Sequence, residues 1–227
     1  MKRSEINRIL LNAKEFLAEM RFLLPPWAYW EPVQWKTRKS DTDEIISNML
    51  GWDITDFGSG DYYHQGLFLF TLRNGKPGVD KKPYAEKIMI VEEGQETPMH
   101  FHWSKMEDII NRGGGNLVLE LWNSDNEGRL SGSRVVVRID GIRREIDAGG
   151  SVVLAPGESI CLEQGMYHRF YGEPESGKVL VGEVSTVNDD TSDNRFYEKA
   201  GRFPGIEEDE PPVHLLVSDY KQLDSYG

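Results

Sequence analysis

Hydrophobic positions along the chain change their period near residue 66. Before it they follow helical spacing: Ile6, Ile9, Leu10, Ala13, Phe16, Leu17 and Met20 make one apolar stripe. This predicts a helix over Ser4–Met20, with Ser4 as its N-cap and Pro25-Pro26 as its stop. A shorter helix is predicted from Asp43 to Leu50, closed by Gly51. From Gly66 onward apolar residues alternate with polar ones. Strands are predicted at Leu67–Leu72, Ala85–Val91, Leu117–Trp122, Arg134–Ile139, Arg143–Ile146, Ser151–Ala155, Ser159–Leu162, Tyr167–Tyr171 and Val179–Val184. Asp140-Gly141 between two alternating runs predicts a tight hairpin, because a type I′ turn needs positive φ at both central residues. Many short, closely spaced strands predict a mainly β antiparallel sandwich or barrel. The expected organisation is one domain: an N-terminal helical extension over 1–60, a β core over 61–187 and a wrapping tail over 188–227.

Composition narrows the function classes. Lys and Arg number 26 against 38 Asp and Glu, a formal charge of −12. That balance argues against nucleic acid as a partner, since phosphate binding depends on clustered cations. No apolar run approaches a membrane span, and the N-terminus enters an amphipathic segment instead of a signal core, so a cytoplasmic protein with no membrane partner is expected. A single cysteine, Cys161, leaves no internal disulfide and no multi-cysteine metal site.

The histidines carry the chemistry. His100 and His102 form a His-x-His pair, which on a strand sends both imidazoles to one side. A tight connection would return Glu107 to the same space, and His168 follows on a later strand. Three imidazoles and a carboxylate suit a divalent first-row metal with coordination positions left open. Glycines frame the set as Gly94-x5-His100-x-His102-x4-Glu107-x6-Gly114 and Gly157-x5-Glu163-x-Gly165-x2-His168-x3-Gly172. The first resembles the first cupin motif. The second matches the second motif at its two glycines and its histidine, with Glu163 and Gly172 in place of Pro and Asn.

Other residues have two readings each. Lys105 is either a loop lysine or a proton-moving group beside the metal. Lys87 shares a face with Met89 and Val91, and Glu183 shares one with Val181. If those faces point inward, the lysine needs a partner and the carboxylate can act as a base or a supporting group. Trp27, Trp30 and Phe101 can stack on a sugar ring or fill a core. Asp189, Asp190, Asp193, Arg195 and Glu198 form either a solvated loop or a substrate-binding segment at the barrel mouth.

Over nearly its whole length the chain resembles the D-lyxose ketol-isomerases, a family of cupin-type sugar isomerases. The resemblance rests on Met1–Asn7, Leu24–Ala28, Gly51-Trp52-Asp53, Thr55–Asp61, Tyr84–Glu93, His100–Asp108, Gly182–Ser185 and Asp193–Phe196. It implies a cupin (double-stranded β-helix, jelly-roll) barrel and a manganese-dependent aldose–ketose isomerase interconverting D-lyxose and D-xylulose, with D-mannose as a secondary substrate. Zinc, cobalt or iron are alternative metals. The resemblance carries the metal role onto His100, His102, Glu107 and His168 and turns Lys87 and Lys105 toward the site. Lys105 and Glu183 are the expected catalytic residues; Lys87, Trp27, Phe101, Asp193 and Arg195 are the expected substrate contacts. The partner is then a small sugar, and cupin pairing predicts a homodimer. The rival readings are an Fe(II) cupin dioxygenase, a cupin phosphosugar isomerase and a non-catalytic sugar-binding cupin.

Overall fold

The computed structural model describes residues 1–187, 189, 192–201 and 204–225; Asp190 lies outside them. Three helices, α1 (Arg3–Glu19), α2 (Pro32–Thr37) and α3 (Asp43–Ser47), precede or flank the first strand. The strands are β1 (Gly51–Thr55), β2 (Leu67–Arg73), β3 (Tyr84–Val91), β4 (Glu96–His102), β5 (Glu107–Gly114), β6 (Leu117–Ser124) and β7 (Leu130–Ser131). They continue with β8 (Val135–Ile139), β9 (Ile142–Ile146), β10 (Ser151–Leu154), β11 (Ser159–Leu162), β12 (Met166–Gly172), β13 (Val179–Thr186) and β14 (Asn194–Phe196).

Pairing is antiparallel within two sheets. The larger has the order β1-β2-β3-β13-β5-β11-β8-β9, and the smaller β10-β6-β12-β4-β14 with β7 on β6. Strands distant in sequence are neighbours in both sheets, as in a jelly roll. Asp140 and Gly141 take φ of 50° and 80° between Ile139 and Ile142, the predicted hairpin.

The two faces of the larger sheet explain its sequence. Leu67, Leu69, Met89 and Val91 point between the sheets and meet Leu117, Leu119 and Leu121 of β6. Their neighbours Phe68, Phe70, Ile88 and Ile90 point the other way, onto Ile6, Leu10 and Leu17 of α1. Strands buried on both faces read as continuous apolar runs, and β2 and β3 do so. Gly114 (φ 87°) runs so close to Lys178 that a Cβ would overlap its carbonyl oxygen, which is why β5 ends on glycine.

Several boundaries differ from expectation. β1 lies inside the expected helical extension, and β14 inside the expected tail, yet each is an edge strand of a sheet. Gly51 opens β1 instead of closing α3, whose exit is made by Met49 at φ 55°. Ser4 is not the N-cap of α1: Lys2 holds that position with no side-chain cap. Asp209 supplies the missing acceptor, taking the Ser4 amide at 2.9 Å and its hydroxyl at 2.6 Å. Arg3, fully buried, ties α1 to the C-terminal segment through Glu208 and Asp219.

Candidate active site

Strand alternation and register build the site between the sheets. His100 and His102 point inward from β4, and His168 of β12 pairs in register with His100. The chain turns after His102 and re-enters as β5, whose first residue is Glu107. Asp193 holds this turn by accepting the amides of Ser104 (2.8 Å) and Lys105 (3.1 Å). On the facing sheet, Lys87 of β3 lies directly across from Glu183 of β13. His100, His102, His168, Lys105, Glu107, Lys87 and Glu183 line one cavity of about 550 Å³, counting its mouth.

The contacts are specific. His100 Nδ1 donates to the Pro98 carbonyl (2.7 Å) and His168 Nδ1 to the Met166 carbonyl (3.1 Å), which leaves each Nε2 to face the cavity as a lone pair. Glu107 Oε1 lies 3.2 Å from His102 Nε2 and 3.1 Å from His168 Nε2. Lys105 Nζ lies 2.6 Å from the other Glu107 oxygen and 3.0 Å from Glu183 Oε1. Lys87 Nζ (3.3 Å) and the Ser185 hydroxyl (3.0 Å) reach that same Glu183 oxygen.

Burial drives His100 well below its ordinary pKa, with His168 and His102 adding to the shift. It lowers His102 too, helped by the Lys105 ammonium. Burial pushes Glu107 upward, but Lys105 and His102 beside it more than reverse this and hold it well below the usual carboxylate range. With His100 and His102 held toward the neutral form beside an ionised Glu107, a cation can enter without displacing protons from these groups. The remaining valence agrees. His102 Nε2 and Glu107 Oε1 are buried without a hydrogen-bond partner among the described residues, and ligand nitrogens of the three histidines lie within 4.8 Å of one another. Lone pairs converging at buried positions are costly unless a cation joins them, so the residues fit a divalent metal.

A family model of D-lyxose isomerase matches residues 1–220. The chain belongs to the D-lyxose isomerase family. It is 52% identical over 223 residues to a D-lyxose/D-mannose isomerase of Serratia proteamaculans, covering 97% of this chain and 98% of that one. It is 50% identical over 228 residues to a D-lyxose/D-mannose isomerase of Escherichia coli O157:H7, covering 98% of this chain and 100% of that one. Among solved structures, the L-ribose isomerase of Acinetobacter sp. DL28 superposes with a TM-score of 0.61 at 16% identity, over 91% of this chain and 98% of that one. The Cellulomonas parahominis L-ribose isomerase gives 0.61 at 17% identity, over 91% and 98%. At that identity the likeness shows the fold, a mainly β, cupin-like barrel with its N-terminal helix.

Within this family member, four expected substrate contacts lie elsewhere. Phe101 alternates with the two inward histidines, so it faces out of the cavity and packs on Trp103 and Tyr167. Arg195 is exposed, while its neighbours Asn194 and Phe196 line the cavity. Trp27 stacks on Phe70 (5.2 Å) and edges onto Trp35 (6.1 Å), outside the barrel where α1 also packs. Asp193 braces the β4–β5 turn and is not part of the cavity wall. Alternation already signalled the Phe101 position; the other three depend on contacts between distant segments. Sequence reasoning did not single out Thr55, Phe57, Thr97, Asn194 or Phe196, which do line the cavity.

Proposed function

We propose that the protein is a metal-dependent aldose–ketose isomerase interconverting D-lyxose and D-xylulose, and D-mannose and D-fructose more slowly. The observation that carries this reading is the joined pair of groups in one cavity. A histidine–carboxylate donor set shares Lys105 with a second buried carboxylate, Glu183. Moving a hydrogen between C2 and C1 needs both a polarised carbonyl and a base within reach of both carbons. Manganese, with zinc, cobalt or iron as alternatives, would supply Lewis acidity toward the C1 and C2 oxygens when held by His100, His102, Glu107 and His168. Glu183 takes the proton from C2 and returns it to C1 through a cis-enediol, while the hydroxyl proton of O2 passes to O1. Lys105 donates a hydrogen bond to the oxygen that gains charge as the proton leaves. Lys87 fixes the Glu183 carboxylate across the strand pair.

Both lysines on the cavity wall are already engaged with carboxylates, which supports a neutral sugar over a phosphosugar. The exposed edge strand β9 supports a homodimer, which sedimentation equilibrium would test. The lone cysteine supports the cytoplasm as the working compartment. Among the described residues, no helix is long and apolar enough to cross a membrane.

The test is proton NMR of D-lyxose in D2O with manganese-loaded protein. Ketose carrying deuterium at C1 is the expected product. Ketose without deuterium would overturn the role of Glu183 as an exchanging base. No ketose from protein with demonstrated bound metal would overturn the isomerase reading.

A further inference from the structure

One buried hydroxyl in the cavity wall takes no part in the steps above. Thr97 is 3% exposed and lines the cavity, and its Oγ1 has no hydrogen-bond partner among the described residues. Simple alternation would not put it there: with His100 and His102 facing inward, Pro98 would follow and Thr97 would face away. A β-bulge changes the parity. His100 pairs with His168, but Thr97 pairs with Phe170, so Pro98 and Met99 together oppose Arg169 alone. Within the bulge, the Pro98 carbonyl accepts from His100 Nδ1 at 2.7 Å. One local irregularity therefore turns a hydroxyl into the cavity three residues from a proposed metal ligand.

A buried hydroxyl without a partner is destabilising. The other wall threonine, Thr55, avoids that cost because its Oγ1 accepts the Phe57 amide at 2.9 Å. Thr97 lies three residues before His100, at most about 10 Å along a strand and less across a bulge. That is the reach of an extended five-carbon polyol whose other end lies among the histidines. Phe57, Leu67 and Phe170 also line the cavity, and Phe170 sits across from Thr97 in register.

We propose that the Thr97 hydroxyl is a specificity-determining contact, forming a hydrogen bond with the O4 or O5 hydroxyl of the open-chain sugar. This rests on the isomerase reading above. Its ligand class is a neutral polyol end; a phosphate there would meet a hydroxyl among apolar side chains.

The experiment compares metal-loaded wild type, Thr97→Val and Thr97→Ser on D-lyxose, 4-deoxy-D-lyxose and 5-deoxy-D-lyxose. Calorimetric binding of the unreactive polyol D-arabinitol and the melting temperature are measured in parallel. Thr97→Val should raise KM for D-lyxose about tenfold, with kcat and metal content little changed, weaken D-arabinitol by a similar factor, and raise Tm. Thr97→Ser should restore KM. The Val penalty should vanish with one of the two deoxy sugars, whose missing hydroxyl identifies the bound oxygen. A penalty that persists with both deoxy sugars, an unchanged KM, or a lowered Tm would overturn the assignment. Wild type that makes no ketose would instead overturn the isomerase reading itself, and would be seen in the control.

Discussion

Two clusters of buried charge lie on opposite sides of the larger sheet, and they differ in how completely their atoms are used. In the closure cluster, Arg3 donates to both oxygens of Glu208 (2.8 and 2.6 Å) and both of Asp219 (3.0 and 2.9 Å). One Asp219 oxygen also accepts the Leu216 amide. Burial alone would lower the arginine pKa, but the two carboxylates more than offset it. Every guanidinium direction in use meets an acceptor, and the result is a clasp between the two ends of the chain. In the cavity cluster, both His102 ring nitrogens, Glu107 Oε1 and Thr97 Oγ1 remain without hydrogen-bond partners among the described residues. Arg3 and Asp219 are buried like the cavity charges, while Glu208 is exposed. Unused valence is concentrated in the cavity, where an entering ligand or ion would complete it.

That contrast can be broken most sharply at the cavity. His168→Ala should lower metal affinity by more than about 100-fold, and turnover with it, while the apoprotein keeps its fold. Metal content after dialysis reads this, and full retention would break the four-ligand set. Next comes the clasp. Arg3→Met should cost about 3–5 kcal/mol in a denaturant titration, since two carboxylates lose their partner, yet leave turnover per folded molecule unchanged. Lost activity in the folded variant would blur the distinction between the clusters. Lys105→Met should then lower kcat about 100-fold with metal retained, and wild-type turnover would remove Lys105 from the chemistry.

The smallest expected effect is a pH dependence on the helix side. His214 donates Nδ1–H to the Trp30 carbonyl (3.1 Å) and presents Nε2 to Lys14 (3.0 Å). Burial depresses its pKa below the ordinary 6.5, and Lys14 adds to the shift. The unfolded chain therefore takes a proton that the folded chain refuses. Stability should be intact above about pH 6.5 and decline as pH falls through it. The slope of Tm against pH should be shallower in His214→Gln. An equal slope would remove His214 as its source.

Much was legible in the sequence because it is local. The predicted strands at Leu67, Ala85, Leu117, Ser159, Tyr167 and Val179 all exist, since period-two alternation is written in neighbouring residues. The same alternation placed His100 and His102 together, and glycine spacing linked them with Glu107 and His168. Lys87 and Glu183 share inward faces with Met89 and Val181, as their alternation allowed. The predicted strands left out β1, β4, β5, β7 and β14: β1 follows a helix directly, β7 and β14 are short, β4 carries Pro98 and a bulge, and β5 ends in glycines.

The sequence by itself thus determined the strand faces, the hairpin at Asp140-Gly141 and the donor types for a metal, all set by spacing within a few residues. Only the tertiary structure decided which charged groups complete one another: Lys105 between Glu107 and Glu183, Arg3 between Glu208 and Asp219, Asp193 beneath the β4–β5 turn. It also decided that Thr97 faces the cavity while Phe101 and Arg195 do not. The reason is physical. Alternation fixes parity only within an unbroken strand, whereas a bulge resets it and a partner tens of residues away is chosen by register and packing, which no short window of sequence contains.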